Sequence, residues 1–467
     1  MIWREKISLL MQHCHAIRPL IPLSVIEKSV HQYDDISALC EIKKCSIITN
    51  SNFAMVLNYV WIFFFVISFV IALIKLLVLG DTEIFNKLVE GLFKTAKDSV
   101  TDVALPLAGT MIFFLGIMKI AEDAGAIRFL ARILNPLLKR LFPEIPSNHP
   151  AMGEMVMNFS ANMLGLDNAA TPFGLKAMKS LEDMNPTPGT ATNAQIMFLV
   201  MHTSGLTLIP LSIISYRVAA NSTEPASIFV PCVLATLMAT LASILIVGLK
   251  QRLRFDAVLW AWIGGIILGV LGVLFYIQQL PDESKALVSK VSGNLILLSI
   301  ICTIIVGGLL KKVNVFDSFI DGAKEGFGVV LKILPYLVGM LVAIKVFRES
   351  GALDYVVDAM KWIVVSLGMN GDFTDALPVA IMKPFSGSGA RGLMLDIFNA
   401  PDLGPDSFAG KMASIFQGSA DTTFYIIALY FGSVGIKRIR YAVWAGLLAD
   451  MLGVICAIFI AYIFFHH

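Results

Sequence analysis

The sequence predicts an all-α polytopic membrane protein made of two inverted repeats, each with membrane-spanning helices, interfacial amphipathic helices and a re-entrant broken hairpin. Three observations predict it. The 467 residues are 57% hydrophobic and 15% charged, with a mean hydropathy of +0.77, far from soluble composition. Apolar runs of spanning length recur from Met55 onward. Two polar, glycine-broken segments interrupt them, Met155–Pro172 and Ile381–Gly392, at matching places in the two halves. Broken backbone at membrane depth is tolerated only where protein buries it or it lines a cavity, so the paired interruptions point to a binding site.

In chain order, residues 1–54 come first, a polar stretch with three cysteines and no run long enough to span. They lack the basic start, apolar middle and small-residue cleavage site of a signal peptide. They read as a cytoplasmic tail, or as the product of a start codon placed too early, with Met55 the true beginning. Spans are predicted at about 56–79, 103–120, 194–215, 228–248, 256–277, 294–310, 330–347, 409–431 and 438–464. Amphipathic pieces near 84–98, 124–141, 315–329 and 352–367 are too polar to cross and suit the interface plane. The expected division is a tail at 1–54, a first repeat at 55–250, a linking transmembrane helix and loop at 251–292, and a second repeat at 293–467.

The repeat shows on overlay. Phe85, Gly91, Pro106 and Ala124-Gly125-Ala126-Ile127 answer Phe316, Gly322, Pro335 and Ser350-Gly351-Ala352-Leu353. Phe159–Asn162 answers Phe385–Ser388, and His202–Thr207 answers Gln417–Thr422. The shared order implies duplication. Four spans in the first module and one linking span start the second module on the opposite face, so the halves are inverted.

Basic residues agree with that count. With the N-terminus inside, Lys119, Arg128, Arg132, Lys139, Arg140, Lys250, Arg252, Arg254, Lys311, Lys312, Lys437, Arg438 and Arg440 all fall on the cytoplasmic side. The segment from Arg348 to Lys411, expected outside, is richer in acids.

The candidate site follows from the polar residues set in apolar surroundings. Asp421, near the middle of a predicted span, costs several kcal/mol to bury unless paired, protonated or wet. It is the candidate for coupling to an ion, the alternative being a structural partner for Lys383 or Arg391. Asn158, Ser160, Asn162, Asn168 and Thr171 in the first broken segment, with Ser386 and Ser388 in the second, offer uncharged donors and acceptors to a small solute. They could equally satisfy broken backbone or join helices. His202, Ser204, Gln417, Ser419 and Thr422 complete the set. His202 reads as a proton shuttle or as a satisfied hydrogen-bonding group. Arg391, in a glycine-rich turn, places a cation where an anionic group could sit. The turn has the glycines of a dinucleotide loop, but no strand precedes it. Asp450, also deep in a span, reads as structural.

Other classes are disfavoured. A net charge of +2 argues against nucleic acid as a partner. The cysteines at 14, 40, 45, 232, 302 and 456 form no metal knuckle or disulfide framework. No zinc motif, phosphate loop or nucleophile elbow stands out, so neither enzyme activity nor a cofactor is expected.

The stretch from His149 to Glu154 and on through Asn158-Phe-Ser-Ala-Asn162 to Gly174 resembles spore maturation protein A. Lys383-Pro-Phe-Ser-Gly-Ser-Gly-Ala-Arg391-Gly392 with Gln417-Gly-Ser-Ala-Asp-Thr-Thr-Phe-Tyr425 resembles spore maturation protein B. The chain looks like the two fused. That resemblance implies membership of the nucleoside-recognition (Gate) superfamily, which includes concentrative nucleoside transporters. The broken segments and inverted halves lead to the expectation of a secondary transporter of a small polar solute in the bacterial inner (plasma) membrane, working by alternating access, with a sodium ion or proton as coupling ion; the family name suggests a nucleoside-like solute. The lipid bilayer and that solute are the partners expected, and a homo-oligomer is left open. A non-transporting membrane maturation or assembly factor is the alternative, and a metal-conducting pore a weaker third.

Overall fold

The structure, a computed structural model, describes residue 59 and residues 61–465 except positions 147, 367 and 369, without the side chains at 167–169, 282, 283, 285, 286, 289 and 290. The tail expected at 1–54 lies outside the described residues. Those described are helical and carry one isolated bridge, Thr190 to Arg438. The sequence is that of an all-α polytopic membrane protein, and seven helical stretches among the described residues are long and apolar enough to cross a bilayer.

The first half opens with α1 (61–79) and α2 (Ile84–Asp98). A π turn at Ser99–Ala104 joins α2 to α3 (Leu105–Asp123). Pro106, which has no N–H to donate, sits in the first turn of α3, where a widened turn accommodates it. Next come α4 (Ala126–Leu141) and the arms of the first hairpin, α5 (Pro150–Met163) and α6 (Asp167–Asp183). Helices α7 (Asn193–Thr203), α8 (Leu211–Ala219) and α9 (Phe229–Lys250) follow. After α10 (Ala257–Gln279), the second half repeats the pattern: α11 (Asp282–Leu310), α12 (Val315–Glu349) and α13 (Ala352–Ser366). The arms of the second hairpin are α14 (Leu377–Met382) and α15 (Gly387–Asn399). Helices α16 (Phe408–Gly418), α17 (Thr423–Ser433) and α18 (Ala442–Phe465) complete it.

Two expectations are corrected. The pieces at 84–98 and 315–329 are not separate interfacial helices: 84–123 and 315–349 are continuous. At about 1.5 Å per residue both are longer than the roughly 30 Å of hydrocarbon, so they tilt or project beyond it. One face of each start packs inside the protein, Ile84, Leu88 and Gly91 in α2 and Gly322 and Gly326 in α12, while side chains such as Phe93 and Phe316 stay exposed. The spans at 194–215 and 409–431 are not continuous either, but break at 204–210 and 419–422 into α7/α8 and α16/α17.

Helices α3 and α12 form the most extensive helix pair. Gly326 lies against Met111 and Ile112, and Gly116 against Phe319, so the two run antiparallel at close approach. The pairing is close to self-complementary. Gly91 faces Lys345 and Glu349, while Gly322 faces Leu115, Gly116 and Lys119, and the offset of the overlaid Pro106 and Pro335 places Lys345 opposite Gly116 and Glu349 opposite Ile120, next to Lys119. A two-fold that exchanges antiparallel helices must stand perpendicular to them. For helices that cross a bilayer such an axis lies in the membrane plane, which is the inverted arrangement.

The ends of the helices differ in charge. At one end Arg140 pairs with Asp256, Arg440 donates to Ala191 O and Asn193, and Ala191 N donates to Arg438 O. Asp256 also caps α10, and its carboxyl is held below the usual range, first by the Leu259 amide and then by Arg140. At the other end Arg217 pairs with Asp406, and Lys411 with Glu224. Helix α9 runs from one end to the other, and large exposed apolar side chains such as Leu77, Leu268, Phe275 and Leu295 line α1, α10 and α11, as lipid contact requires.

Candidate functional site

Local chemistry shapes each interruption. Helix α5 stops at Leu164, Gly165 takes a left-handed φ of +71°, and Leu166 N and Gly165 N bond Ala161 O and Asn162 O. These two bonds form a Schellman cap, which turns the chain into α6. In the second hairpin Pro384 follows α14, and the Ser386 hydroxyl accepts from Gly389 N at 2.9 Å to start α15.

The broken helices meet each other and the hairpins where they unwind. Asp421 N donates to Thr203 O across the two halves at 2.8 Å. Gly205, φ +59°, presses on that contact: a Cβ there would stand 3.1 Å from Asp421 N and 3.2 Å from Ala420 C. Leu208 N donates to Met163 O at 2.8 Å, and Phe424 N to Pro384 O at 3.1 Å, so each α8 or α17 start is fixed to the hairpin of its own half.

Between these elements lies a cavity of about 130 Å³. Its polar walls include Asn162, Thr207, Lys383, Arg391, Gln417 and Asp421, and Tyr216 lines it as well. Asn162 hydrogen-bonds Asp421, and Lys383 is the cation beside it. Lys383 Nζ also donates to Gln417 O at 2.7 Å, placing positive charge on the C-terminal end of α16. The Arg391 guanidinium lies over the Tyr216 ring, 5.2 Å from its centroid. Two buried polar atoms here have no hydrogen-bond partner, Arg391 Nε and Gln417 Oε1. Buried polar atoms are rarely left so, and these lie where a bound molecule would meet them.

Of the residues singled out in the sequence, Asn162, Arg391, Gln417 and Asp421 line this cavity. Asn158, His202 and Tyr430 form a separate buried knot. Asn158 Nδ2 donates to Ala170 O at 2.7 Å, so its Oδ1 accepts from His202 Nδ1 at 3.0 Å, and His202 Nε2 faces the Tyr430 hydroxyl at 3.5 Å. Ser160, Ser204 and Ser419 donate to helix carbonyls of their own segments, Val156 O, Met201 O and Phe416 O. Ser386 and Ser388 share a 3.2 Å contact at the α15 cap, and Thr422 packs against Gly387. Thr171 lies in α6, and the side chain of Asn168 is outside the described ones.

Three residues gain importance from the structure. Tyr216 and Thr207 line the cavity although their surroundings in the sequence look like an ordinary apolar span. Asp450, buried in α18, accepts from the Thr423 hydroxyl at 2.6 Å and keeps its other oxygen without a partner, just behind the start of α17. Its signal in the sequence was the lone carboxylate in a long apolar run.

A profile of the Gate family, described as nucleoside recognition, matches residues 104–220 and 330–437. Both matches contain a hairpin and the whole of a broken helix. The chain is 46% identical over 166 residues to spore maturation protein B of Bacillus subtilis (strain 168), spanning 36% of this chain and 90% of that protein. It is 39% identical over 189 residues to spore maturation protein A of the same strain, spanning 40% of this chain and 92% of that protein. Inner membrane protein YjiG of Escherichia coli (strain K12) is 33% identical over 91 residues, 19% of this chain and 58% of that protein. No solved structure matches the chain. Since nearly the whole length of two spore maturation proteins is found in different parts of one polypeptide, the chain belongs to the spore maturation A and B family of membrane proteins with Gate domains.

Proposed function

We propose that the protein is a secondary transporter of a small polar solute, resident in a bacterial inner membrane with its basic end in the cytoplasm. One observation carries the reading: both halves contribute to a polar cavity at their crossing, and it holds a buried acceptor, Gln417 Oε1, with no partner. Paired broken helices around a central polar cavity suit alternating access, since rocking one half against the other exposes the same site to either side. Asp421 is the carboxylate in the cavity wall and the group that would couple transport to a sodium ion or proton. The family description and the inner-membrane name of one relative support the reading.

The test is a thermal-shift screen of detergent-purified protein against nucleosides, nucleobases, amino acids and short peptides at varied sodium and pH. A ligand that stabilises the wild type, but not Asp421→Asn measured against its own melting point, supports a carrier. A flat response across the panel favours the second reading, a membrane maturation or assembly factor, for which the relatives' names speak.

A further inference from the structure

The charges in the cavity wall specify more than a polar solute. Resting on the carrier reading above, we infer that the cavity takes a compact organic monoanion, its carboxylate on Arg391 and a hydroxyl donor on Gln417.

The cavity wall has three charged residues, Lys383, Arg391 and Asp421. Lys383 is committed, bonded to Gln417 O and set beside Asp421. Arg391 is not. Among the described residues no carboxylate forms an ion pair with it, its Nε is buried without a hydrogen-bond partner, and Asp421 draws its positive neighbour from Lys383 instead. Tyr216 offers the guanidinium a ring face, 5.2 Å from Cζ to the centroid, and no oxyanion, so the bidentate pairing that a carboxylate makes with an arginine is still open. Arg391 also lies in the first turns of α15, whose N-terminal end adds partial positive charge. The wall is therefore one cation in excess.

Gln417 supplies the second contact. Its residue is 5% exposed, its Nε2 reaches Gly387 O at 3.4 Å, and its Oε1 is an acceptor without a donor. A solute that satisfies both orphan atoms carries an oxyanion and a donor close together. Size limits the rest of it. About 130 Å³ falls below the roughly 300 Å³ at which sites for drug-sized ligands begin, so short hydroxy carboxylates fit this form of the cavity better than a nucleoside.

The test pairs acids with neutral isosteres. Melting points of the full chain are measured with L-lactate, L-lactamide, glycolate, glycolamide and uridine, for wild type, Arg391→Gln and Gln417→Glu. The expected result is that a carboxylate binds at least tenfold more tightly than its amide. Arg391→Gln should erase that preference, and Gln417→Glu, which adds a negative charge, should weaken the carboxylate at least tenfold. Should Arg391→Gln not fold, Gln417→Glu carries the test alone. Amides or uridine binding as tightly as the carboxylates, or a preference that survives the substitutions, overturns the monoanion while leaving a carrier standing. No shift with any of these compounds or with the broader panel overturns both.

Discussion

Asp421 and Lys383 face each other in the cavity wall, and their roles as charge partners and as ligand groups can be separated. Removing one member of a buried pair strands the other, at a cost of about 3 kcal/mol. Asp421→Asn should therefore lower the melting temperature, and adding Lys383→Met should restore most of it, while ligand-induced shifts stay absent in both; the readout is thermal melting with and without ligand. Restored ligand response in the double variant would assign Asp421 a structural role only. Gly205 answers to a different force. Its left-handed φ strains any side chain, and its contact with the backbone of Asp421 and Ala420 leaves little room for a Cβ, so Gly205→Ala should destabilise by about 2 kcal/mol, measured by loss of folded protein in a melting series. At this scale Asn162, Arg391, Gln417 and Asp421 were legible because polar side chains in apolar windows are costly and so stand out. Tyr216 was not, because an aromatic residue near the end of an apolar helix reads as an interface anchor; only the break at 204–210 turns it toward the cavity.

Between elements, Arg217 fixes the end of α8 to the second half. Its side chain is fully buried and donates to Pro405 O, Ser222 Oγ, Glu224 O and Asp406 Oδ1. Partial burial pushes the Asp406 carboxyl up, but hydrogen bonds from Ser222 and Thr223 together with Arg217 outweigh this and hold it below its usual value. A depressed carboxylate stabilises the fold above the unfolded pKa, about 3.9, and the gain is lost as pH falls through the lowered value. Asp406→Asn should thus melt below wild type near neutral pH, and the two curves should converge only in acid below that range. Arg217→Ala should cost about 3–5 kcal/mol on the same assay. The broken helices mark where legibility ended for elements. Gly205 and Pro210 signal the first break, but Ser419–Thr422 contains neither glycine nor proline. What unwinds it is tertiary: Asp421 N bonds Thr203 O in the other half, and no local propensity shows that.

For the whole molecule, the duplication and the inversion could be read in advance because both leave long-range marks, a shared order of landmarks and a bias of basic residues. The continuity of 84–123 and 315–349 could not, since a polar helix start that packs against its symmetry mate looks the same in sequence as one lying on the membrane. Sidedness gives a prediction here: a cysteine at Arg254 and one at Asp402 should react with an impermeant maleimide from opposite faces of sealed vesicles. The central claim is that one cavity serves both faces. Its most direct test is labelling of Thr207→Cys, in a background whose native cysteines are serine, with impermeant maleimide applied from each side in turn. Alternating access predicts that position 207 reacts from both sides, in proportions that shift when a ligand or the sodium gradient changes. Reaction from one face alone under every condition, or from neither, would contradict a carrier and leave a fixed membrane scaffold.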